Sequence, residues 1–267
     1  MIKRISKLLP QITRIVCSNA DRLIMPSSGQ VSADIKSDGS LVTEIDKQMQ
    51  LNLATELKLL LPEVKMLGEE MPSSDQLNII QSNDSYWCLD PVDGTNNFYH
   101  AVPLYSVSLA LVANGDVVLG IIYDPVRKEC FSAIKGGAMM INNVPVDRAT
   151  QPESLDACLA SIDFKRLSID ARHSIVSSMP FKSQRNVGSC ALEWAWLAAG
   201  RIQLLLHGGE KIWDYAAGTL LLEAAGGISS SGDGEHIFNA TLNPRRVIAA
   251  STEQLFRDWR DYLKSIN

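Results

Sequence analysis

The sequence of 267 residues lacks most of the features that mark specialised protein classes. Its cysteines are odd in number, widely scattered and include no Cys-x-x-Cys pair (Cys17, Cys88, Cys130, Cys158 and Cys190). This pattern argues against a disulfide framework or a zinc site and favours reduced thiols. The N-terminal segment has no apolar run long enough for a signal peptide or membrane span, because basic residues and Pro10 interrupt it. We therefore expect a cytoplasmic protein that binds no membrane.

Long basic runs are also absent. The 25 basic and 30 acidic side chains leave a formal net charge of -5 with the histidines neutral. Because proteins bind nucleic acids by neutralising phosphates with basic groups, no nucleic-acid partner is expected. The same acidity would repel a small phosphorylated substrate, unless some of the carboxylates hold cations.

The apolar residues that are present predict the elements of the N-terminal part. With 46% of residues hydrophobic and 21% charged, the composition is typical of a globular protein, whether one large domain or two packed halves. Helical spacing predicts one amphipathic helix over residues 3–25 and a second from Thr43 to near Pro62. Residues 26–40 are predicted to be a loop, and a short loop is predicted between Glu70 and Tyr86.

The remaining pattern predicts two halves. Short runs at 64–67 and 86–89 predict strands that end in acidic residues, and residues 105–141 predict an antiparallel meander with turns at Asn-Gly, Asp-Pro and Gly-Gly. After about residue 150, strands and helices alternate. We expect an α+β half over residues 1–150, packed directly on an α/β half over residues 151–267.

The segment Asp90-Pro-Val-Asp-Gly-Thr95 carries the strongest chemical signal. An apolar strand delivers two carboxylates, three residues apart, into a turn. Since Mg²⁺ prefers carboxylate and carbonyl oxygens, Asp90, Asp93 and the Val92 carbonyl could serve two neighbouring ions. Gly94 and Thr95 would start a helical turn, whose N–H groups favour a phosphate. The alternative is a simple turn, because Asp, Pro and Gly all favour turns.

Two other acidic segments help to decide between a metal site and a simple turn. Leu67-Gly-Glu69-Glu70 ends a predicted strand, and Trp213-Asp214-Tyr-Ala-Ala-Gly218 starts a helix. Taken separately, Glu69 and Glu70 are typical of a solvated pair of acids, and Asp214 is typical of a helix N-cap. Together with the first segment, in order and spacing, they resemble the inositol monophosphatase family, within the superfamily of metal-dependent, lithium-sensitive sugar and nucleotide phosphatases. The resemblance covers nearly the whole chain.

The resemblance implies a fold, an assembly and an activity. The fold is a layered αβαβα sandwich, in which an N-terminal, mostly antiparallel sheet with two long helices packs on a C-terminal mixed α/β half. The implied assembly is a homodimer. The implied activity is a Mg²⁺-dependent phosphomonoesterase, acting on a small phosphorylated substrate through metal-activated water without a covalent intermediate.

The resemblance also assigns roles to residues. The implied ligands of two or three Mg²⁺ ions are Glu69, Asp90, the Val92 carbonyl, Asp93 and Asp214. Glu69 and Thr95 resemble the groups that position the attacking water, and Lys36 falls in a loop that helps to hold the third ion. Asp46 is similar to the acid that orients the threonine, but it could equally be a capping-box partner of Thr43.

The substrate-binding residues implied by the resemblance fit less well. They are Gly94, Thr95, Gly188, Ser189, Cys190, Ala191, His207, Glu210 and Asp214. His207 stands where typical inositol phosphatases have an acid that binds a substrate hydroxyl, and Glu210 could supply a carboxylate from a shifted position. Lys211 either contacts a second anionic group or lies in solvent, and we favour solvent.

The activity therefore has open alternatives. We expect hydrolysis of an inositol phosphate or a related sugar phosphate, because residues 188–191 still suit a polyol. A 3′(2′),5′-bisphosphate nucleotidase, or another small phosphomonoester phosphatase of the superfamily, is the nearest alternative. A non-catalytic sensor of phosphate ligands is the alternative from another class.

Overall fold

The computed structural model of this chain describes residues 1–36, 39–82 and 84–266. In that part of the chain the helices are α1 (Ile2–Ser27), α2 (Glu44–Leu60), α3 (Ser73–Gln81), α4 (Thr95–Tyr99), α5 (Ile169–Ser178), α6 (Cys190–Ala198), α7 (Ile212–Ala224) and α8 (Glu253–Ser265). The strands are β1 (Ala33–Ile35), β2 (Leu41–Thr43), β3 (Lys65–Gly68), β4 (Tyr86–Asp93), β5 (Ser106–Ala113), β6 (Asp116–Asp124), β7 (Glu129–Ile134), β8 (Met140–Ile141), β9 (Val144–Pro145), β10 (Leu159–Asp163), β11 (Ser183–Arg185), β12 (Leu204–Glu210), β13 (Ile228–Ser231) and β14 (Arg245–Ala250).

The first large sheet has the order β3-β4-β5-β6-β7-β8-β9. Only β3 and β4 pair in parallel, and the neighbours from β4 to β9 pair antiparallel, so the predicted meander is confirmed. Both faces of β4 and β5 are buried. Helices α1 and α2 pack on one side of this sheet, whereas α6 and α7 pack on the other.

The second sheet completes the layers. It has the order β11-β10-β12-β14-β13, with β10 parallel to both β11 and β12. Its inner side contacts α6 and α7, and α5 and α8 cover its outer side through Ile175, Leu255 and Trp259. The protein is thus the αβαβα sandwich that the resemblance implies.

The two N-terminal helices follow the predicted pattern closely. Helix α1 continues through Pro10 and buries Ile5, Ile12 and Val16 along one face. Helix α2 begins after Thr43, whose backbone N–H donates to Asp46 in a capping box. The capping interpretation of Asp46 is therefore correct, and it fixes where the second helix starts.

Two predicted loops contain regular structure. The segment 26–40 includes the end of α1 and strand β1, which pairs antiparallel with β2. The segment between Glu70 and Tyr86, interpreted as a short loop, contains α3. Helix α3 has a weak apolar face, with Ile79 in the core and Leu77 exposed, which explains why periodicity did not indicate it.

The apolar core crosses the boundary predicted at residue 150. One cluster joins Cys88 and Phe131 of the first sheet with Trp194, Leu205 and Ala249. Because this cluster contains residues from both sides of residue 150, it does not define a boundary there, and the division into halves remains a prediction. No helix within the described ranges is both long enough and apolar enough to cross a membrane.

Candidate metal and phosphate site

A cavity of about 720 Å³ opens between the two sheets. Its lining combines the end of β4, the start of α4 and the start of α7 with residues of β12 and of the turn that follows β10. Of the residues predicted for the site, it contains Glu69, Asp90, Val92, Asp93, Gly94, Thr95, Gly188, Ser189, Cys190, His207 and Asp214. Residues from distant parts of the sequence therefore meet at one place.

Three carboxylates form the centre of this cavity. Asp90, Asp93 and Asp214 each offer an oxygen, and these oxygens lie within 4.8 Å of one another. The residues are only 3%, 6% and 8% exposed. Buried carboxylates at this separation repel one another, unless protons or cations neutralise them.

The backbone at the end of β4 explains how Asp90 and Asp93 converge. The pairing of β4 with β5 is irregular between these two residues, and Asp90 Oδ1 accepts the N–H of Val92 at 3.0 Å. Gly94 then adopts a φ of +92°. A Cβ at that position would lie 3.0 Å from the Leu104 carbonyl oxygen, so the conformation and the space both favour glycine.

Asp93 connects the turn to the C-terminal part of the chain. Its carboxylate accepts the N–H of Ala191 at 2.8 Å, the N–H of Cys190 at 3.2 Å and the Ser189 hydroxyl. These groups stand at the start of α6, where the resemblance implies contact with the substrate. Ala191 and Ser189 are fully buried and engaged by Asp93, so their contact with a substrate stays a prediction.

Asp214 enters the site from the first turn of α7. Its Oδ2 accepts the N–H of Lys211 at 2.7 Å, which fixes the carboxylate against the helix N-terminus. Lys211 is half-buried and donates to the Leu242 carbonyl at 3.1 Å. The favoured position of Lys211 in solvent is therefore wrong, because its ammonium is held at the cavity wall by a backbone acceptor.

Glu69 and Lys36 form an ion-pair group beside the three aspartates. The Lys36 ammonium lies 2.6 Å from a carboxylate oxygen of Glu69 and 2.6 Å from one of Glu70. Burial acts to lower the pKa of Lys36, but the two carboxylates outweigh burial and raise it. Burial also raises the pKa of Glu70, to about 7. The lysine is thus a fixed positive charge at this edge of the site.

Thr95 and Asp46 are in contact, as the resemblance implies. The Thr95 hydroxyl lies 3.3 Å from Asp46 Oδ1 and 3.0 Å from the Val92 carbonyl oxygen. Asp46 meanwhile uses Oδ2 for Thr43. One buried carboxylate therefore makes both contacts, with one oxygen for the helix cap and the other for Thr95, and its role in catalysis stays a prediction.

The electrostatics of the cluster favour added positive charge. Burial, reinforced by neighbouring acids, raises the pKa of Asp90 and of Asp214 well above 3.8. Burial also raises the pKa of Asp93, to about 6, although its hydrogen bonds from Ser189 and Ala191 act in the opposite direction. Each carboxylate holds its proton more tightly than it would in water, which indicates a place where cations are stabilised.

We call the side of the cavity formed by β12 and the end of β10 its second wall. There the structure differs from the expected roles of His207 and Glu210. Glu210 is fully buried, and its Oε2 accepts the indole N–H of Trp194 at 2.7 Å. It does not line the cavity. His207 does, and its Nε2 lies 3.0 Å from Asp163 Oδ2. The carboxylate beside His207 on this side of the cavity is Asp163, at the end of β10.

Sequence reasoning missed several residues of this wall, namely Asp163, Lys165, Arg166, Asn186 and Glu193. Asp163 and His207 are register partners on the parallel strands β10 and β12. The position of Asp163 at the end of a predicted strand could have indicated a functional role, because binding and catalytic residues often lie where a strand ends. The pairing of β10 with β12 was not readable from the sequence, so nothing indicated its contact with His207.

Comparison with known proteins defines the class to which this chain belongs. The model of the inositol monophosphatase family matches residues 11–264. A fructose-1,6-bisphosphatase/inositol-1-monophosphatase of Thermotoga maritima is 31% identical over 217 residues, covering 80% of each chain. Nus factor SuhB of Escherichia coli strain K12 is 30% identical over 245 residues, covering 88% of this chain and 89% of the relative.

A solved structure shows the same fold. An IMPase/NADP phosphatase complexed with Mg²⁺ and phosphate superposes with a TM-score of 0.83 at 24% identity, covering 100% of this chain and 96% of the other. The layered fold is therefore shared with this structure. The family model and the relatives described above define the class as that of a phosphatase superfamily, and within it the chain belongs to the inositol monophosphatase family.

Proposed function

We propose that the protein is a Mg²⁺-dependent phosphomonoesterase that hydrolyses an inositol phosphate or a related sugar phosphate. The observation that carries this proposal is the group of three buried carboxylates, whose oxygens lie within 4.8 Å of one another in a cavity of about 720 Å³. Hard oxygen donors suit Mg²⁺, and the raised pKa values of Asp90, Asp93 and Asp214 favour a bound cation. Glu69 and the Val92 carbonyl would complete the donor set for two or three ions.

When bound, magnesium would neutralise phosphate oxygens and lower the pKa of a coordinated water. The chain itself would orient that water. The Thr95 hydroxyl can donate to Asp46 or to the Val92 carbonyl, which leaves its oxygen lone pair to accept a hydrogen bond from water. Glu69 lines the same cavity and is anchored by Lys36, so its carboxylate is held where it can accept a proton. None of these steps needs a covalent intermediate.

The alcohol part of the ester would face the second wall. Gly94, Gly188 and Cys190 leave room there, and Asp163 and His207 offer polar groups for hydroxyls. Lys165, Arg166 and Lys211 also line this side, so a second anionic group is compatible with it. The curated relative that acts as a fructose-1,6-bisphosphatase is consistent with such a substrate.

The test is phosphate release from four esters, with Mg²⁺ and with a chelator: inositol 1-phosphate, fructose 1,6-bisphosphate, NADP⁺ and 3′-phosphoadenosine 5′-phosphate. We expect Mg²⁺-dependent release, highest for a polyol or sugar ester and inhibited by lithium. The variant Asp90→Asn should lose more than about a hundredfold in kcat. The exposed Asp116→Asn is the matched control and should retain the wild-type rate.

Two results would overturn parts of the proposal. Preference for the adenosine bisphosphate would replace the substrate with that of a nucleotidase. Equal rates in wild type and Asp90→Asn would exclude the proposed site. A binding role without turnover is the second candidate, since a relative of this chain is named a Nus factor; it predicts that phosphate esters bind but release no phosphate.

Assembly and location are also part of the proposal. The family resemblance supports a homodimer, and light scattering on the purified chain measures its mass directly; a monomer at micromolar concentration would refute it. The five cysteines are all free, which supports a reducing, cytoplasmic setting.

A further inference from the structure

Three potential ligands of different kinds meet beside the acidic site. Cys190 begins α6, and His207 and Glu210 belong to β12. One ligand atom from each lies within 4.8 Å of the other two. His207 is 4% exposed and Glu210 is 0% exposed, so solvent does not separate the three groups. None of them belongs to the group formed by Asp90, Asp93 and Asp214.

Hydrogen bonds define which nitrogen of His207 carries the proton. The backbone N–H of Gly209 points at Nδ1 at 3.2 Å, so Nδ1 must act as an acceptor. Nε2 lies 3.0 Å from Asp163 Oδ2, an acceptor that requires an N–H donor. The assignment follows from these partners: Nε2 is protonated, and the Nδ1 lone pair accepts the Gly209 N–H.

Glu210 places a second acceptor close to Nδ1. Its Oε2 is satisfied by the Trp194 indole, but its Oε1 is buried and has no hydrogen-bond partner. Oε1 lies 3.9 Å from His207 Nδ1. Nδ1 already accepts from Gly209, whereas Oε1 is a buried acceptor without a donor, which is costly. A cation between the two groups would satisfy Oε1 and would take the place of the Gly209 N–H at Nδ1.

Against the expectation from cysteine spacing, we propose that Cys190, His207 and Glu210 bind a borderline-soft divalent cation, of the kind represented by Zn²⁺. Sulfur, imidazole nitrogen and carboxylate oxygen form the mixed donor set that suits zinc, whereas magnesium takes oxygen ligands. Three protein ligands leave one position for water or substrate. Asp163 would orient His207 from the far side of the ring, an arrangement common among metal-binding histidines.

The required movement is small. Bond lengths of about 2.0–2.3 Å place neighbouring ligand atoms of a tetrahedral site roughly 3.3–3.7 Å apart. The present separation between Nδ1 and Glu210 Oε1 is 3.9 Å. Sγ of Cys190 lies 3.7 Å from Nε2, so its side chain must turn toward the Nδ1 side of the ring. The ligands come together only in the fold, because Cys190 is separated from His207 by 17 residues.

The consequence for the enzyme rests on the proposed function. Cys190 and His207 both line the cavity, on the wall assigned to the alcohol part of the ester. A cation held there would occupy that wall and act as an inhibitor that competes with substrate. The cation site itself does not depend on turnover, so binding and inhibition are measured separately.

Cobalt is the probe, because a bond from Co²⁺ to a thiolate gives a near-ultraviolet charge-transfer band that carboxylates cannot produce. Full-length protein is first saturated with Mg²⁺, so that the aspartate group is occupied, and Co²⁺ is then titrated. We expect the band to saturate at one ion per chain and to disappear when Zn²⁺ is added. The variant Cys190→Ser should lose the band.

Two further variants make the result specific. Cys88→Ala removes a buried thiol close enough to feel the charges of Asp90 and Asp214, and it should keep the band. Glu210→Gln can still accept from Trp194 and can offer an N–H toward His207 Nδ1, so it should fold and bind Zn²⁺ at least about tenfold more weakly. The proposal is overturned if wild type shows no band, if Cys190→Ser keeps it, if Cys88→Ala removes it, or if Glu210→Gln binds Zn²⁺ as wild type does.

Discussion

Magnesium should stabilise this protein most strongly at neutral and higher pH. The reason lies in Asp90, Asp93 and Asp214, whose oxygens lie within 4.8 Å of one another. For Asp93, the pKa rises from 3.8 to about 6 on folding. The stability linked to that proton is fully present below pH 3.8 and is lost as the pH rises through about 6. At about 1.4 kcal/mol per pKa unit, the loss at this carboxylate is about 3 kcal/mol.

A bound cation would offset that loss. A ligand present at about 100 times its Kd adds about 2.7 kcal/mol to the free energy of unfolding. For a chain of this size, each kcal/mol moves Tm by roughly 2–4 °C, so the expected rise is about 5–10 °C. At pH 5 the rise should be smaller, because protons already neutralise part of the charge.

The variant Asp90→Asn separates this explanation from nonspecific salt effects. Asparagine can still accept the N–H of Val92, now 3.0 Å from Asp90 Oδ1, but it removes one negative charge. We expect a higher Tm than wild type in a chelator and little response to Mg²⁺. Differential scanning calorimetry at pH 5 and pH 8 measures both quantities, with Asp116→Asn as the control. A lower metal-free Tm together with an unchanged Mg²⁺ response would refute the reasoning.

Three more predictions concern individual residues. Asp46→Asn should lower kcat about ten- to hundredfold with little change in KM, because Thr95 loses its charged partner; steady-state kinetics would contradict this with a pure KM effect. Lys36→Met should lower the metal-free Tm, since about 1.5–3 kcal/mol per charged hydrogen bond is lost, and thermal melts should show a larger Mg²⁺ response than wild type. Asp163→Asn should reduce kcat/KM for inositol 1-phosphate but not for p-nitrophenyl phosphate, which has no hydroxyls; equal losses on both esters would argue for a structural role, and the exposed Asp170→Asn should change neither.

The parts of the fold that were predictable depend on local signals. Helix α2 could be placed because Thr43 and Asp46 form its cap within three residues. The convergence of Asp90 and Asp93 could also be inferred, because one short turn determines it. Helix α3 was not indicated, since a helix held by few apolar contacts shows little periodicity.

The second wall of the site was not predictable for a different reason. In a regular strand, His207 and Glu210 would point to opposite faces, because their separation is odd. The pairing of β12 with β14 is irregular between these two residues, so that Glu210 Oε1 lies 3.9 Å from the His207 ring. Gly208 permits this backbone, since a Cβ there would lie 2.0 Å from the Arg166 carbonyl oxygen. Such irregularities depend on contacts between strands, and the sequence of one strand does not contain them.

The contact of Asp93 with the start of α6 has a consequence for the order of folding. The carboxylate belongs to β4, whereas the N–H groups of Cys190 and Ala191 that hold it come nearly a hundred residues later. Asp214 arrives later still along the chain, so the complete acidic group cannot form during synthesis until α7 has emerged and packed. Magnesium should therefore act late: it should slow unfolding of the finished protein and leave the early collapse of the first sheet unchanged.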